Sequence, residues 1–374
     1  MRIGIPAETR AGETRVAATP ETVKKLAAKC EVRVQAGAGA RARFPDSEYE
    51  RAGARVVATA AEAFDADVVL KVRSPQDEEI GLLRSGSTLI GLLDPYDSAR
   101  LEAIARRGVT GFAMELLPRT ISRGQAMDVL SSQANIAGYK AVILAAAHYA
   151  RFFPMLMTAA GTVKAARVLV LGAGVAGLQA IATARRLGAV VEASDVRPAV
   201  KEQVESLGAK YLDVPYLTQE EREIAEGVGG YARPMPPDWM RRQAEAVHQR
   251  ALASDIVITT ALIPGRPAPV LVREETVRAM RPGSVLVDLA VEQGGNCPLT
   301  ERDRIVEKHG VTLIGIANLP ATVPADASAL LARNLLAMLA LMLDLKTGEF
   351  RINREDEILA ATLVCADGAV VKRT

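Results

Sequence analysis

The sequence predicts an α/β protein with two domains, each built on a parallel sheet, joined by long helices. Short β-branched segments alternate with helical segments from the first residues, a rhythm typical of parallel sheets covered by helices. An Ala-rich stretch with helical spacing interrupts this rhythm between about residues 125 and 153, and a second alternating series follows. A length of 374 residues suits two domains of ordinary size.

The first series predicts two helices, at residues 20–28 and 98–107, the former capped by Thr19. Its strands are expected at residues 2–6, 31–35, 67–72, 88–93 and 109–113. The first long helix is predicted over residues 125–153, because Pro154 is the first residue that breaks the pattern.

The second series predicts strands at residues 168–171, 190–194, 255–260, 284–289 and 311–316, and helices at residues 175–187 and 199–207. The Gly- and Pro-rich segment 227–238 is expected to be a mobile surface loop. A second long helix, at residues 327–345, would return the chain to the first domain. We therefore predict a discontinuous first domain, residues 1–128 plus 327–374, around a second domain at residues 129–326.

Composition excludes several classes of protein. Lys and Arg total 46 against 44 Asp and Glu, and aromatic residues are 4%, so no nucleic-acid binding is expected. The longest uncharged stretch, residues 168–184, holds three glycines and is shorter than a spanning helix, so direct membrane insertion and a secretory signal are not expected. Cys30, Cys297 and Cys365 lie far apart, which predicts neither disulfide nor metal site and favours a reducing, cytoplasmic compartment.

The segment Gly172-Ala-Gly174-Val-Ala-Gly177 has GxGxxG spacing between an apolar strand and an apolar helix. Gly172 allows a tight turn, Gly174 lets the backbone approach a pyrophosphate, and Gly177 permits close packing of the helix. The helix start also offers N–H groups and a positive dipole end to phosphates. This context predicts a Rossmann-like dinucleotide site, with an ordinary strand-to-helix turn as the alternative.

Asp195 ends the next predicted strand, where an acid accepts hydrogen bonds from ribose hydroxyls. Its negative charge would repel a 2′-phosphate, which favours NAD over NADP. Arg197, two residues later, can pair with such a phosphate. Spacing alone therefore leaves both cofactors open.

Hydride transfer from an alcohol or amine also needs a proton acceptor, usually His or Lys. His148, His248 and His309 all lie in segments typical of ordinary core or surface histidines. Lys71 ends an apolar strand and Arg15 lies near the first strand, so the pair can hold a substrate carboxylate or lie at the surface.

Polar residues gather where the first long helix is predicted to begin. Gln125, Asp128 and Ser131 (or Ser132) fall three apart, which predicts that they line one helix face. That face is polar where the helix then becomes apolar. A solvated helix start, with Asp128 near the positive end of the dipole, is the alternative.

Over essentially its whole length the sequence resembles the NAD(H)-binding subunit (domain I) of the proton-translocating nicotinamide nucleotide transhydrogenases, within the alanine dehydrogenase/transhydrogenase superfamily. The resemblance is carried by IPAETRAGETRVAATP, SRGQAMDVLSSQANIAGYKAV, the glycine-rich segment, DVRPAVKEQVESLGAKYL, GGYARPM, ITTALIPGRPAPVLV and VLVDLAVEQGGNC. The second and sixth of these segments are specific to this family and its close relatives.

Alanine dehydrogenase shares this ancestry and is the main alternative. That family has a catalytic histidine after the strand matching residues 88–93, where this chain has Leu92-Leu-Asp-Pro-Tyr96, and an aspartate where this chain has Glu292. Arg15 and Lys71 match its substrate-carboxylate cations. The missing histidine favours the transhydrogenase. A dehydrogenase with Lys71 as base and a non-catalytic NAD-binding regulator are the remaining alternatives.

The resemblance implies direct hydride transfer between NAD(H) here and NADP(H) on a partner subunit, so that no base is needed and the task is to align two rings about 3–3.5 Å apart. Arg119, Gln125, Asp128 and Ser131 would orient the nicotinamide. The pyrophosphate would lie on Gly172, Gly174, Val175, Ala176 and Gly177, the adenosine ribose on Asp195, Val196 and Arg197, and the remaining contacts would come from Gly230, Tyr231, Thr260, Ala261 and Leu262.

The same resemblance implies partners. We expect the membrane-spanning and NADP-binding transhydrogenase subunits to be other polypeptides, with proton translocation in the membrane segments. The chain is expected to be a homodimer, peripheral on the inner face of the cell membrane through those partners.

Overall fold

The computed structural model describes residues 1–225 and 235–371. The chain divides into two compact units: unit 1 is Met1–Gln133 with Pro320–Thr374, and unit 2 is Ala134–Leu319. The boundaries expected from the sequence, 128/129 and 326/327, lie a few residues from these. Each unit carries a sheet dominated by parallel strands, so the predicted α/β fold class is confirmed.

The N-terminal segment of the chain alternates strands and helices. These elements are β1 (Arg2–Ile5), α1 (Pro20–Ala27), β2 (Glu31–Gln35), α2 (Asp46–Arg51), β3 (Arg55–Val57), α3 (Ala60–Phe64), β4 (Val68–Arg73), α4 (Asp77–Leu82), β5 (Thr88–Leu92), α5 (Ser98–Arg106) and β6 (Thr110–Ala113). Helix α6 (Val129–His148) then leads from unit 1 into unit 2.

Unit 2 repeats the alternation. Its elements are β7 (Leu156–Thr158), β8 (Gly161–Val163), β9 (Arg167–Leu171), α7 (Val175–Arg186), β10 (Val190–Ser194), α8 (Lys201–Ser206), β11 (Lys210–Tyr211), α9 (Gln219–Ala225), α10 (Pro237–Ala253), β12 (Ile256–Thr259), α11 (Glu274–Ala279), β13 (Val285–Asp288), β14 (Ile305–Lys308) and β15 (Val311–Ile314). The chain then completes unit 1 with α12 (Pro324–Leu339), α13 (Glu357–Thr362), β16 (Leu363–Ala366) and β17 (Ala369–Val370).

The two sheets have the same strand order in their parallel regions. Unit 1 has the order β17-β16-β6-β5-β4-β1-β2-β3, and unit 2 has β11-β10-β9-β12-β13-β15-β14. Strands β14, β16 and β17 are antiparallel additions. The remainder follows the doubly wound order 3-2-1-4-5-6, whose ligand crevice lies where the strand order reverses. In these units that reversal falls between β1 and β4 and between β9 and β12.

The long helices are shorter than the sequence predicted. Residues Ser122–Met127 form a 3-10 helix, and Asp128 has ψ of 83°, so the α-helix starts only at Val129. The prediction that Gln125, Asp128 and Ser131 line one helix face was therefore wrong.

The second long helix covers Pro324–Leu339 and not residues 327–345. It starts earlier because proline fits the first helical turn, where its missing N–H has no cost. Beyond its end, Leu343 pairs with Phe350 in an isolated antiparallel bridge.

The segment expected to be a mobile loop, 227–238, falls mostly outside the described residues. Its last two residues, Pro237 and Asp238, instead belong to the first turn of α10. Among the helices of the described chain, none has both the length and the apolar character needed to span a membrane.

Candidate dinucleotide site

The turn after β9 depends on two glycines for reasons internal to the fold. Gly172 has φ of +94°, and a Cβ there would lie 2.6 Å from Thr260 Oγ1. A Cβ on Gly177 would lie only 1.9 Å from the carbonyl oxygen of Gly172, because α7 packs directly onto the turn. Gly138 on α6 has the same function toward Ala176, whose carbonyl oxygen would be 2.0 Å from an added Cβ. No local motif in the sequence identified Gly138.

Gly174 is in a different position. A Cβ on Gly174 would meet a single neighbour within 4 Å, Arg197 Nη2 at 3.9 Å. The packing of the chain therefore does not require a glycine here, whereas close approach of a ligand does. Val175 and Ala176 begin α7, and N–H groups in a first helical turn lack intrahelical acceptors. These groups and the helix dipole make the turn fit the pyrophosphate of a dinucleotide.

Thr260 ties the end of β12 to the glycine turn. Its N–H donates to the Leu171 carbonyl at 2.8 Å, and its hydroxyl donates to the Gly172 carbonyl at 2.9 Å. Ala261 and Leu262 follow directly, and Leu262 is exposed at the edge of the sheet. The structure thus brings Gly172 and Thr260 together across the point where the strand order reverses.

A buried asparagine that the sequence motifs did not reveal holds the loop after Thr260. The Asn296 carboxamide donates to the carbonyls of Ala261 at 2.9 Å and Pro269 at 2.8 Å. Its oxygen accepts the Ala261 N–H at 3.1 Å. One fully buried side chain therefore ties together both ends of the loop 261–269.

Asp288 orders the segment that carries Asn296. It is fully buried at the end of β13 and accepts the N–H groups of Ala290 at 2.9 Å and Cys297 at 3.0 Å. The hydroxyls of Thr259 and Thr300 donate to the same carboxylate at 3.1 and 2.9 Å. An acid that ends an apolar strand was the available sequence signal for this residue.

Asp195 follows β10 and contacts the glycine turn, since the Ala173 N–H donates to its Oδ2 at 2.7 Å. The main-chain N–H and the Nε of Arg197 donate to Oδ1, both at 2.9 Å, and Nη2 donates to Oδ2 at 2.8 Å. The neighbouring backbone is held by two tyrosine hydroxyls: Tyr211 donates to the Asp195 carbonyl at 2.6 Å and Tyr216 to the Val196 carbonyl at 3.1 Å. Gly230 and Tyr231, also expected at this site, lie outside the described residues.

In unit 1, three of the four residues expected to orient the nicotinamide form one cluster. Asp128 Oδ2 lies 3.3 Å from Arg119 Nε and accepts the Ser131 hydroxyl at 2.6 Å, while Arg119 Nη2 donates to Ser131 Oγ at 2.9 Å. Asp128 also caps α6 by accepting the Ser131 N–H at 2.9 Å. Gln125 is exposed and reaches this cluster through its carbonyl, which accepts the Asp128 N–H at 3.2 Å.

Arg15 is bound by the protein's own acceptors. Its Nε and Nη2 each donate to the Glu13 carboxylate at 2.7 Å, and Nη1 donates to Gln133 Oε1 at 2.7 Å. Burial opposes ionisation of Glu13, but the Arg15 hydrogen bonds and charge outweigh it and lower the pKa of Glu13 to about 2. This cation and its partner are almost completely buried.

Lys71 is engaged in the same way. Its Nζ donates to Glu79 at 2.7 Å and lies 3.5 Å from Glu8 Oε2, and its side chain is buried. Burial raises the pKa of Glu8 even though Lys71 lowers it.

The loop after β5 contains no histidine. Asp94 has φ of +55°, and its N–H donates to Glu115 at 2.7 Å while the Leu93 N–H donates to the same carboxylate at 3.1 Å. Burial raises the pKa of Glu115 to about 7, although both N–H groups lower it.

The three histidines all belong to unit 2. His148 is exposed on α6, and His248 Nδ1 lies 2.8 Å from Thr276 Oγ1. His309 lies in a turn with φ of +56°. Across residues 1–225 and 235–371, no group of His, Cys, Asp and Glu side chains is arranged to hold a metal ion.

Comparisons with known proteins agree with this architecture. Residues 4–137 match the model of the N-terminal domain of the alanine dehydrogenase/PNT family, and residues 141–373 match its C-terminal domain. A Rhodospirillum rubrum protein, named as the first of the separate chains of NAD(P) transhydrogenase subunit alpha, is 53% identical over 379 residues, which cover 99% of this chain and 98% of that protein. Alanine dehydrogenase of Bacillus subtilis is 32% identical over 382 residues, covering 99% and 92%.

Among solved structures, the crystal structure of transhydrogenase from Sinorhizobium meliloti superposes with a TM-score of 0.89 at 51% identity, covering 99% of this chain and 100% of that one. The similarity to transhydrogenase therefore extends over the whole chain and exceeds the similarity to alanine dehydrogenase, as the resemblance in the sequence predicted. The chain belongs to the alanine dehydrogenase/PNT family, and within that family it groups with the alpha subunits of NAD(P) transhydrogenases.

Proposed function

We propose that this chain is the NAD(H)-binding subunit of a proton-translocating transhydrogenase, and that hydride passes directly between NAD(H) held here and NADP(H) held by a partner subunit. The observation that carries this proposal is the glycine turn between β9 and β12. Gly174 leaves its backbone open to a pyrophosphate, and the start of α7 supplies N–H donors. The similarity to transhydrogenase alpha subunits supports the choice of reaction.

A bound nicotinamide would supply the hydride chemistry, and this chain's residues would bind and orient it. The Gly172–Gly177 turn and Thr260 would fix the pyrophosphate. The cluster of Arg119, Asp128 and Ser131 would orient the nicotinamide, because its three side chains hold one another in a single arrangement. Tyr231 and Gln125 would add contacts.

Two observations favour transhydrogenation over amino-acid oxidation. The loop after β5 carries Asp94 and no histidine, and hydride transfer between two nicotinamide rings needs no general base. Arg15 and Lys71, the cations that would hold an amino-acid carboxylate, are already paired with Glu13 and Glu79. A substrate acid would have to displace these buried ion pairs.

We further propose that the chain forms a homodimer, with membrane-spanning and NADP-binding subunits as its other partners. Strands β7 and β8 form a two-stranded hairpin outside both large sheets. Phe152, Met155 and Met157 on and beside it each expose more than half of their surface. An isolated two-stranded hairpin is marginally stable in water, so a second copy that covers these apolar side chains would stabilise it.

The test of the proposed reaction combines the purified chain with a transhydrogenase NADP-binding domain, NADPH and an oxidised NAD analogue. We expect reduction of the analogue, followed by absorbance, only when both proteins are present. A chain that alone oxidises NADH with pyruvate and ammonium would instead be an amino-acid dehydrogenase. A chain that binds NADH but turns over with neither partner nor substrate would be a regulator.

The dimer is tested separately by light scattering after size-exclusion chromatography. The wild-type chain is expected at twice its monomer mass, and Met157→Glu is expected to shift it toward the monomer. A monomeric wild-type chain would contradict the dimer without affecting the proposed reaction.

A further inference from the structure

The carboxylate of Asp195 already has as many hydrogen-bond donors as it can accept well. A carboxylate offers about four lone-pair positions. Four donors meet Asp195 here: the Ala173 N–H, and the main-chain N–H, Nε and Nη2 of Arg197. Its side chain is only 6% exposed. A ribose hydroxyl can therefore be accepted by Asp195 only if one of these donors moves.

The Arg197 side chain is the donor best able to move. The Ala173 N–H belongs to the glycine turn, and the Arg197 N–H is fixed in the main chain. The guanidinium, in contrast, ends a flexible side chain that is 24% exposed. It also lies beside the phosphate-binding turn, with Nη2 3.9 Å from the position that a Cβ on Gly174 would occupy.

We propose that Arg197 sets the preference of this site between NADH and NADPH, by exchanging its guanidinium for the ribose hydroxyls at Asp195. This inference rests on the proposed function, because it assumes that the glycine turn holds a dinucleotide. The ribose position then carries a neutral Asp195–Arg197 pair in place of a single negative charge. A displaced guanidinium remains close enough to pair with a phosphate, on the pyrophosphate or on the 2′ position.

This arrangement has a charge consequence that other roles of Arg197 do not share. A lone acid at the ribose position rejects a 2′-phosphate by repulsion, and a nearby arginine reduces that rejection. Removing Arg197 should therefore increase the preference for NADH. Removing the charge of Asp195 should decrease it, because the guanidinium is then unpaired.

The experiment measures the Kd of NADH and of NADPH by titration of their fluorescence against the wild-type chain and three variants. Arg197→Gln is expected to raise the ratio of the NADPH Kd to the NADH Kd by about tenfold. Asp195→Asn, which keeps one oxygen for the Ala173 N–H, is expected to lower that ratio by about tenfold. Arg186→Gln removes the same charge from an exposed position in the last turn of α7 and should leave the ratio unchanged.

The outcomes separate the inference from the proposed function. A ratio within twofold of wild type in Arg197→Gln would overturn the inference. So would a shift of the ratio in the same direction in Arg197→Gln and Asp195→Asn, because this is the result expected if both side chains only hold the loop. A wild-type chain that binds neither nucleotide would overturn the proposed function itself.

Discussion

The two sheets of this protein share a strand order but differ at the point where that order reverses. In unit 2 the reversal lies between β9 and β12, and a glycine turn there leaves backbone N–H groups for an anion. In unit 1 it lies between β1 and β4, where the Glu8 carboxylate accepts the N–H groups of Val72 at 2.7 Å and Arg73 at 3.4 Å. Glu8 thus takes the backbone donors that the end of β4 offers.

The charges around Glu8 complete the difference. Arg15 is paired with Glu13, and Lys71 with Glu79 and Glu8, all of them buried. The same topology therefore provides a crevice in each unit, but local sequence decides its use. We infer that unit 2 binds a nucleotide while the buried ion pairs of unit 1 are structural.

The largest effect on this comparison is expected from Lys71→Met. The substitution leaves Glu8 and Glu79 buried without their cation, which should lower the free energy of unfolding by about 3–5 kcal/mol. The Kd of NADH should change less than threefold, because the nucleotide turn is in unit 2. Urea unfolding and NADH titration measure the two quantities.

The control for Lys71 is Lys25→Met, which removes a cation from an exposed pair with Glu21 in the same unit. Its cost should stay below about 1 kcal/mol. If Lys71→Met left stability unchanged but abolished oxidation of NADH with pyruvate and ammonium, the crevice of unit 1 would be a substrate site.

The glycine turn of unit 2 is tested by Gly177→Ala. The new Cβ would lie 1.9 Å from the Gly172 carbonyl oxygen, so α7 must move away from the turn. We expect NADH binding to weaken by at least about a hundredfold, with a loss of about 1–3 kcal/mol of stability. Isothermal titration calorimetry measures the affinity.

Gly81→Ala is the matched control for Gly177. A Cβ on Gly81 in α4 would meet nothing within 4 Å, and its φ is not positive. This variant should bind NADH as the wild type does. Wild-type affinity in Gly177→Ala as well would remove the glycine turn from the site.

Asp128→Asn asks whether the polar cluster of unit 1 takes part in the reaction although the crevice of unit 1 does not. An asparagine still caps α6 but no longer pairs with Arg119. We expect transhydrogenation to fall by tenfold to about a hundredfold, as a misplaced orienting group does, with less than a threefold change in the NADH Kd. Rates with the partner domain and direct titration provide the comparison.

Asp356→Asn provides a matched control for Asp128. Asp356 also caps a helix of unit 1, α13, and pairs with an arginine, Arg123, at 2.7 Å. It should leave the rate unchanged. Equal losses of rate and affinity in Asp128→Asn would mean that Asp128 only binds the cofactor, and an unchanged rate would exclude it from the site.

The smallest effect is expected at Glu115, beside the loop that lacks a histidine. Burial raises its pKa from an ordinary 4.5 to about 7 in the folded chain, so folding favours the protonated form. This contribution to stability is fully present below about pH 4.5 and is lost as the pH rises through about 7. Between pH 5 and 8 the wild type should lose about 1–2 kcal/mol relative to Glu115→Gln. Parallel pH profiles of the two proteins in urea unfolding would contradict this.

Local patterns predicted most of the nucleotide turn. Gly172, Gly174 and Gly177 occupy a fixed spacing between a strand and a helix, and Asp195 ends the following strand, so neighbouring residues decide their positions. The strand order itself was not predictable, because pairing between distant strands depends on packing across the whole unit. The antiparallel strand β14 at the edge of the sheet was missed for the same reason.

Residues that act over long sequence distances escaped prediction. Asn296 holds Ala261, 35 positions earlier in the chain, and no local pattern reveals that pairing. The start of α6 was placed too early because Asp128 is compatible with a helical pattern but is used as its cap. Arg15 and Lys71 were correctly identified as unusual cations, but their partners Glu13, Glu79 and Glu8 became apparent only in the structure.

The central claim is that hydride passes between two nucleotides without a protein base. The direct measurement mixes this chain with a transhydrogenase NADP-binding domain, an oxidised NAD analogue, and NADPH that carries deuterium at the transferred position, in ordinary water. Mass spectrometry then determines the label in the reduced analogue. We expect the analogue to carry deuterium in full, and none to be formed without this chain. Solvent hydrogen in place of deuterium would contradict direct transfer.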